Sequence, residues 1–177
     1  MKSHLGKIHV YTGDGQGKTT AALGLALRAI GHGYKVIIIQ FMKKRPKTGE
    51  ILIQKRLSPD LEIYQFGREI FVKKEQPEQE DIEFAKKGLD FAYKALENQQ
   101  PDILILDEIN VAIDFNLLKV DDLLKFLDKV PRRGTEIVLT GRGAKKEIIK
   151  RADLVTEMKK IKHYYDTGLL AREGIEY

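Results

Sequence analysis

The chain has 177 residues, enough for one domain of ordinary size and too few for two comfortable ones. Its 32% charged and 42% hydrophobic residues are those of a folded globular protein, and the absence of cysteine excludes disulfides, thiolate zinc sites, iron-sulfur ligation and a cysteine nucleophile. Lys and Arg number 31 against 26 acidic residues, a net charge of +5 that suits an anionic ligand without singling out nucleic acid. No apolar run approaches the length of a membrane span. The polar start, Met1 to Lys7, runs straight into a strand with no leader-like apolar stretch, so the expected address is cytoplasmic.

In chain order, Lys7 to Thr12 reads as a strand and Gly17 to about Gly31 as a small-residue helix, apolar on nearly every side and expected to pack deep. Lys35 to Met42 carries four β-branched residues in succession, the mark of a strand covered on both faces. A basic loop with Pro46 follows, then a strand over Leu61 to Phe66. From Pro77 to about Asn98, the positions Ile82, Ala85, Leu89, Ala92 and Leu96 step by three and four, which predicts an amphipathic helix. Asp102 to Glu108 is a second buried strand. Then come a helix over Val120 to Val130, a solvated loop at Arg132 and Arg133, a strand over Glu136 to Thr140, a helix over Ala144 to Arg151 and a strand over Leu154 to Met158. Strict alternation forces crossover connections, hence an α/β fold with a mainly parallel sheet of about six strands and helices on both faces, with ligands expected beyond the carboxyl ends of the strands.

Three of those strand ends carry chemistry. Thr12-Gly13-Asp14-Gly15-Gln16-Gly17-Lys18-Thr19-Thr20 follows a strand and opens a helix, the context in which a glycine loop turns backbone amides around phosphate oxygens. Lys18 adds a charge on the same phosphates, and Thr19 a hydroxyl for a metal ion bridging two of them. Thr12 stands where such loops usually have glycine. Asp107 and Glu108 end a buried strand and suit Mg²⁺, directly or through water, with capping of the next helix as the alternative. Arg142, between Gly141 and Gly143, is placed to neutralise a triphosphate; an exposed arginine in a glycine turn is the plainer reading. Arg28 interrupts an apolar helix and is as readily a solvated residue as a phosphate or subunit contact. The four histidines show no zinc spacing, and no Ser, His and Asp set announces acyl transfer.

These blocks together resemble the P-loop type of ATP:corrinoid adenosyltransferase from end to end. The resemblance rests on Val10 to Thr20, including Thr12, and on Arg28-Ala29-Ile30-Gly31-His32-Gly33, Gln40-Phe41-Met42-Lys43, Thr48-Gly49-Glu50, Leu106-Asp107-Glu108 and Thr140-Gly141-Arg142-Gly143. It extends to the tail, Lys162-His163 with Asp166, Gly168, Ala171 and Gly174-Ile175-Glu176-Tyr177. It implies a three-layer P-loop NTPase (RecA-like) fold over residues 1–177 and a homodimer. It also implies Mg²⁺ or Mn²⁺, and ATP bound with its triphosphate reversed so that the ribose 5′ carbon faces a reduced corrinoid. Co(I) then attacks that carbon and inorganic triphosphate leaves; an electron-donating flavoprotein reduces the cobalt. By position, His163 and Asp166 fall near nucleotide or corrinoid. Phe71 alone offers itself as the aromatic that displaces cobalt's lower ligand, a core or lid aromatic being the equal alternative, and the short lead before the first strand implies looser corrinoid burial. Two rivals keep the fold and change the activity: a kinase or ATPase acting at the γ-phosphate, and a RecA-like nucleic-acid binder.

Overall fold

The computed structural model describes residues 4–129 and 134–177; Arg132, Arg133 and the last residue of the helix expected to reach Val130 lie outside them. Six strands, β1 (Ile8–Thr12), β2 (Val36–Phe41), β3 (Leu61–Phe66), β4 (Ile103–Asp107), β5 (Glu136–Thr140) and β6 (Leu154–Glu157), form one sheet in the order β3-β2-β4-β5-β1-β6. Every neighbouring pair is parallel. The helices are α1 (Lys18–Ile30), α2 (Gly49–Leu57), α3 (Gln79–Lys94), α4 (Ile109–Asp114), α5 (Val120–Leu127) and α6 (Lys146–Arg151).

Side chains alternate across each strand and build two cores. Val36, Ile38, Ile63, Ile103, Ile105 and Val138 meet Ala22, Ala26 and Ala29 of α1, with Ile51 and Leu57 of α2 packed at the margin. On the other face Ile37, Ile39, Leu104, Leu106, Ile137 and Leu139 pack against α3, α4, α5 and α6, with Phe41 and Phe126 wholly buried. The result is a three-layer sandwich with crossovers on both sides.

Two expectations need correction. α1 does not pack deep on all sides: its alanine stripe meets the sheet while Leu27 is 63% exposed, because the helix lies in an outer layer with nothing stacked beyond that side chain. The predicted helix to Asn98 is α-helical only to Lys94 and ends in a π-helical turn, Ala95–Gln99. Gln100 then takes a left-handed φ of 49°, and Pro101 leads into β4.

The register sets the functional edge. Tyr11 pairs with Thr140, Leu106 with Leu139 and Gln40 with Asp107, so the carboxyl ends of β1, β5, β4 and β2 stand side by side. After β6 the tail contains one 3-10 turn, Tyr164–Thr167, and turns back onto the loop after β1.

Candidate nucleotide site

The loop from Thr12 to Lys18 folds around left-handed glycines, Gly13 at φ 95° and Gly17 at φ 114°. A Cβ on Gly13 would stand 2.4 Å from the Met158 carbonyl oxygen, so only glycine admits the backing strand of chain there. That chain is bonded in: Met158 N–H donates to the Thr12 carbonyl at 2.8 Å, and Gly15 N–H to the Met158 carbonyl at 2.6 Å. α1 begins with no side-chain cap and no acidic residue in its first turn, which leaves its leading amides and positive dipole end for an anion. Lys18 Nζ donates to the carbonyls of Gly13 (2.8 Å) and Gly15 (2.6 Å), curled over the hollow of its own loop. Burial lowers the Lys18 pKa, with Arg142 adding to the effect and Glu108 opposing it.

Asp107 is buried beneath the loop with a full set of donors. Its Oδ1 accepts from Thr19 Oγ1 (2.8 Å) and Thr140 Oγ1 (2.7 Å), and its Oδ2 from Gln40 Nε2 (3.1 Å) and Lys43 Nζ (2.7 Å). Burial pushes its pKa up, yet the Lys43 charge and these hydrogen bonds outweigh burial and hold the carboxyl below its usual range. Lys43 is the converse: burial would lower it, and Asp107 with Glu108 raises it on balance. Glu108 adopts a left-handed φ of 64°, rare for a residue with a Cβ, fixed by its N–H donating to Thr140 Oγ1 at 2.9 Å. Its side chain does not cap α4; it faces the cavity, and burial together with Asp107 raises its pKa. Arg142 is exposed in a turn held by Gly141 N–H donating to the Tyr11 carbonyl at 3.1 Å.

These groups meet in one cavity of about 500 Å³. Of the residues named from sequence, Asp14, Gly15, Gln16, Gly17, Lys18, Thr19, Thr20, Phe71, Glu108, Arg142 and His163 line it. Thr12 and Gly13 instead line a second hollow behind the loop, which Arg142 and Asp14 also reach. Asp107 lies under the floor, 1% exposed. Arg28 is not brought to the cavity: it is exposed in the last turn of α1, ten residues or roughly 15 Å of helix beyond Lys18. Asp166 is exposed and paired with Lys160 at 3.1 Å. His163 accepts the Tyr165 N–H at 3.1 Å and caps the 3-10 turn while facing the cavity. Phe71 is 82% exposed at the mouth, with the Arg45 guanidinium 4.6 Å from its ring centre.

Sequence reasoning gave no role to Lys43, Gln40, Thr140, Tyr164 or Glu176. A polar Gln40 closing an otherwise apolar strand was the available signal for the first group. In the tail the signal was the family resemblance, which includes Glu176; no local pattern marks Tyr164, whose contact with Gln16 joins residues 148 positions apart. Tyr164 Oη lies 2.9 Å from Gln16 Oε1 and also bonds Glu176, while Arg172 N–H donates to Glu176 Oε2 at 2.7 Å and its guanidinium sits 4.7 Å over the Tyr164 ring. Lys160 N–H donates to Asp14 Oδ1 at 3.1 Å.

Arg172, with Tyr164 second, draws the Glu176 carboxyl from 4.5 down to about 2. A depressed carboxyl stabilises the fold above its unfolded pKa and loses that contribution as pH falls through the folded one. The fastening of the tail should therefore weaken between about pH 4.5 and 2. Glu176→Gln is expected to abolish that dependence and to raise the KM for ATP several-fold, by loosening Tyr164 from Gln16. Hydrogen exchange of the tail against pH, and steady-state kinetics, check the two parts.

Comparison with known proteins gives the family and the fold. The family model described as ATP:corrinoid adenosyltransferase BtuR/CobO/CobP matches residues 4–177. A corrinoid adenosyltransferase of Sinorhizobium sp is 38% identical over 173 residues, covering 97% of this chain and 80% of the relative. One from Pseudomonas aeruginosa is 35% identical over 172 residues, covering 97% and 84%. Among solved structures, the flagellar accessory protein FlaH of Methanocaldococcus jannaschii superposes with a TM-score of 0.58 over 86% of this chain and 71% of its own, at 17% identity, a likeness of fold alone.

Proposed function

Since the chain belongs to the ATP:corrinoid adenosyltransferase family, we propose that its cavity holds the triphosphate of ATP in the glycine loop and presents the ribose to a corrinoid at the open mouth. The activity is that of the family: the adenosyl group of ATP passes to the cobalt of a corrinoid. One observation carries the assignment of roles. Asp14 to Thr20 of the phosphate loop, Glu108, Arg142 and an exposed aromatic all line one cavity.

In our reading Lys18 and the leading amides of α1 grip the triphosphate, reversed so that the 5′ carbon points outward. Arg142 reaches over it from the β5 end. Co(I) supplies an electron pair to the 5′ carbon, the carbon–oxygen bond breaks in line, and the pair leaves with inorganic triphosphate. No proton moves, so the site needs no acid and base pair; it needs orientation and positive charge, which Lys18 and Arg142 provide. Phe71 gives the flat macrocycle a face to rest on.

The donor set fits a hard divalent ion. Thr19, Glu108 and Asp107 offer only oxygens, and no cluster of three or more His, Cys, Asp or Glu suited to a metal occurs among the described residues. Phosphate oxygens would complete the shell, as Mg²⁺ or Mn²⁺ prefers. When bound, such an ion neutralises charge on the leaving triphosphate. With the oxygens of Asp107 engaged, Glu108 and Thr19 would hold it directly and Asp107 through water.

From the resemblance we further read the chain as one nucleotide-binding domain that works as a cytoplasmic homodimer, its corrinoid reduced by a flavoprotein. Among the described residues no helix is long and apolar enough to cross a membrane. The test is to incubate the protein with ATP and a chemically reduced corrinoid. Expected products are the adenosylated corrinoid and inorganic triphosphate in equal amounts; ADP without triphosphate would give the site to a kinase or ATPase instead.

A further inference from the structure

Lys43 is a charged group of the cavity wall to which the reading above gives no task. It follows Met42, whose left-handed φ of 59° turns the chain directly after β2. Its ammonium lies 2.7 Å from Asp107 Oδ2 and 4.0 Å from Glu108 Oε1. Lys43 lines the same cavity as Lys18, Thr19 and Glu108. A cation bridging two carboxylates stands where a divalent ion shared by them would have to stand. Asp107 has no oxygen free for a newcomer, since Thr19, Thr140 and Gln40 take its remaining lone-pair directions. Two carboxylates and a hydroxyl are also too few oxygens to hold Mg²⁺ or Mn²⁺ well without phosphate.

We propose that Lys43 is a positioning residue that occupies the place of the metal beside Asp107 and Glu108, and yields it when a polyphosphate arrives to take the ammonium. Metal then enters with the nucleotide and not ahead of it. The proposal rests on the reading of the acidic pair as the protein's share of a metal site. In the empty pocket it offsets one of the two acidic groups, and in the loaded pocket it gives the phosphates an additional cation.

The test is Mn²⁺ titration of the full chain, followed by electron paramagnetic resonance, with and without ATP. Lys43→Gln is expected to bind Mn²⁺ without nucleotide roughly tenfold or more tightly than the unaltered chain, the two converging when ATP is present. Lys44→Gln removes the same charge from an exposed neighbour and should change nothing. Unaltered affinity in Lys43→Gln, or an equal gain in Lys44→Gln, overturns the proposal and leaves the metal site standing. Absence of Mn²⁺ binding beyond that of ATP itself removes the metal site and the proposal together. Should Lys43→Gln fail to fold, the unaltered chain still decides: Mn²⁺ bound as tightly without nucleotide as with it overturns the proposal.

Discussion

Lys18→Ala is expected to lower kcat/KM by at least about 10²-fold to 10³-fold, the usual consequence of removing one preorganised donor from developing negative charge. The fold should survive. Lys18 belongs to neither apolar core, and its ammonium spans the carbonyls of Gly13 and Gly15. Those carbonyls become free to take water, at a cost of about 1 kcal/mol each. Burial has already lowered the affinity of Lys18 for its proton, with Glu108 pulling the other way, so an arriving triphosphate finds an ammonium only partly compensated by its surroundings. Activity and thermal melting measured on the same preparation check the claim. Near-normal turnover would take the triphosphate out of the loop, and a collapsed melt would make Lys18 a structural residue.

The loop was legible because its chemistry is contiguous: three glycines, Lys18, Thr19 and Thr20 follow β1 without a break and run into α1, the strand, loop and helix order that the sequence predicts. The buried strands were legible for a related reason. Val36 to Phe41 is apolar without interruption but for Gln40, and β3 spans Leu61 to Phe66 as its alternation predicts. Helices without a stripe were not. α2 has no buried residue, so its sequence carries no period, and α4 buries five of its six residues and is too short to show one.

The least legible part is the support beneath the site. Gly15 meets Met158, Gln16 meets Tyr164 and Lys43 meets Asp107 only because a parallel sheet brings distant strand ends together. Periodicity describes one element at a time and cannot report which ends become neighbours. Arg28 differs for the opposite reason: its charge interrupts an apolar run, yet it projects from the last turn of α1, exposed and away from the cavity, which fits a solvated residue or a subunit contact and not a phosphate contact.

Asp107→Ala should produce the largest loss of stability, about 3–5 kcal/mol, the range seen when one partner of a buried ion pair is removed. The carboxylate is 1% exposed and takes four donors, so its loss strands the Thr19 and Thr140 hydroxyls, leaves Gln40 Nε2 with Glu50 alone and leaves the Lys43 ammonium with Glu108 4.0 Å away as its nearest carboxylate. Its lowered pKa gives the effect a direction with pH. The contribution is present above the unfolded pKa of Asp and fades as pH falls through the lower folded value. Urea denaturation from neutral to acid pH should therefore show the unaltered chain approaching Asp107→Ala only in acid. Charge and packing separate in the double variant. Lys43→Met added to Asp107→Ala removes the stranded ammonium and should recover part of the loss, which a pair acting independently would not do. If the second substitution deepens the loss by its own single-variant cost, the strength of this floor comes from the threonine and glutamine hydrogen bonds and not from the ion pair.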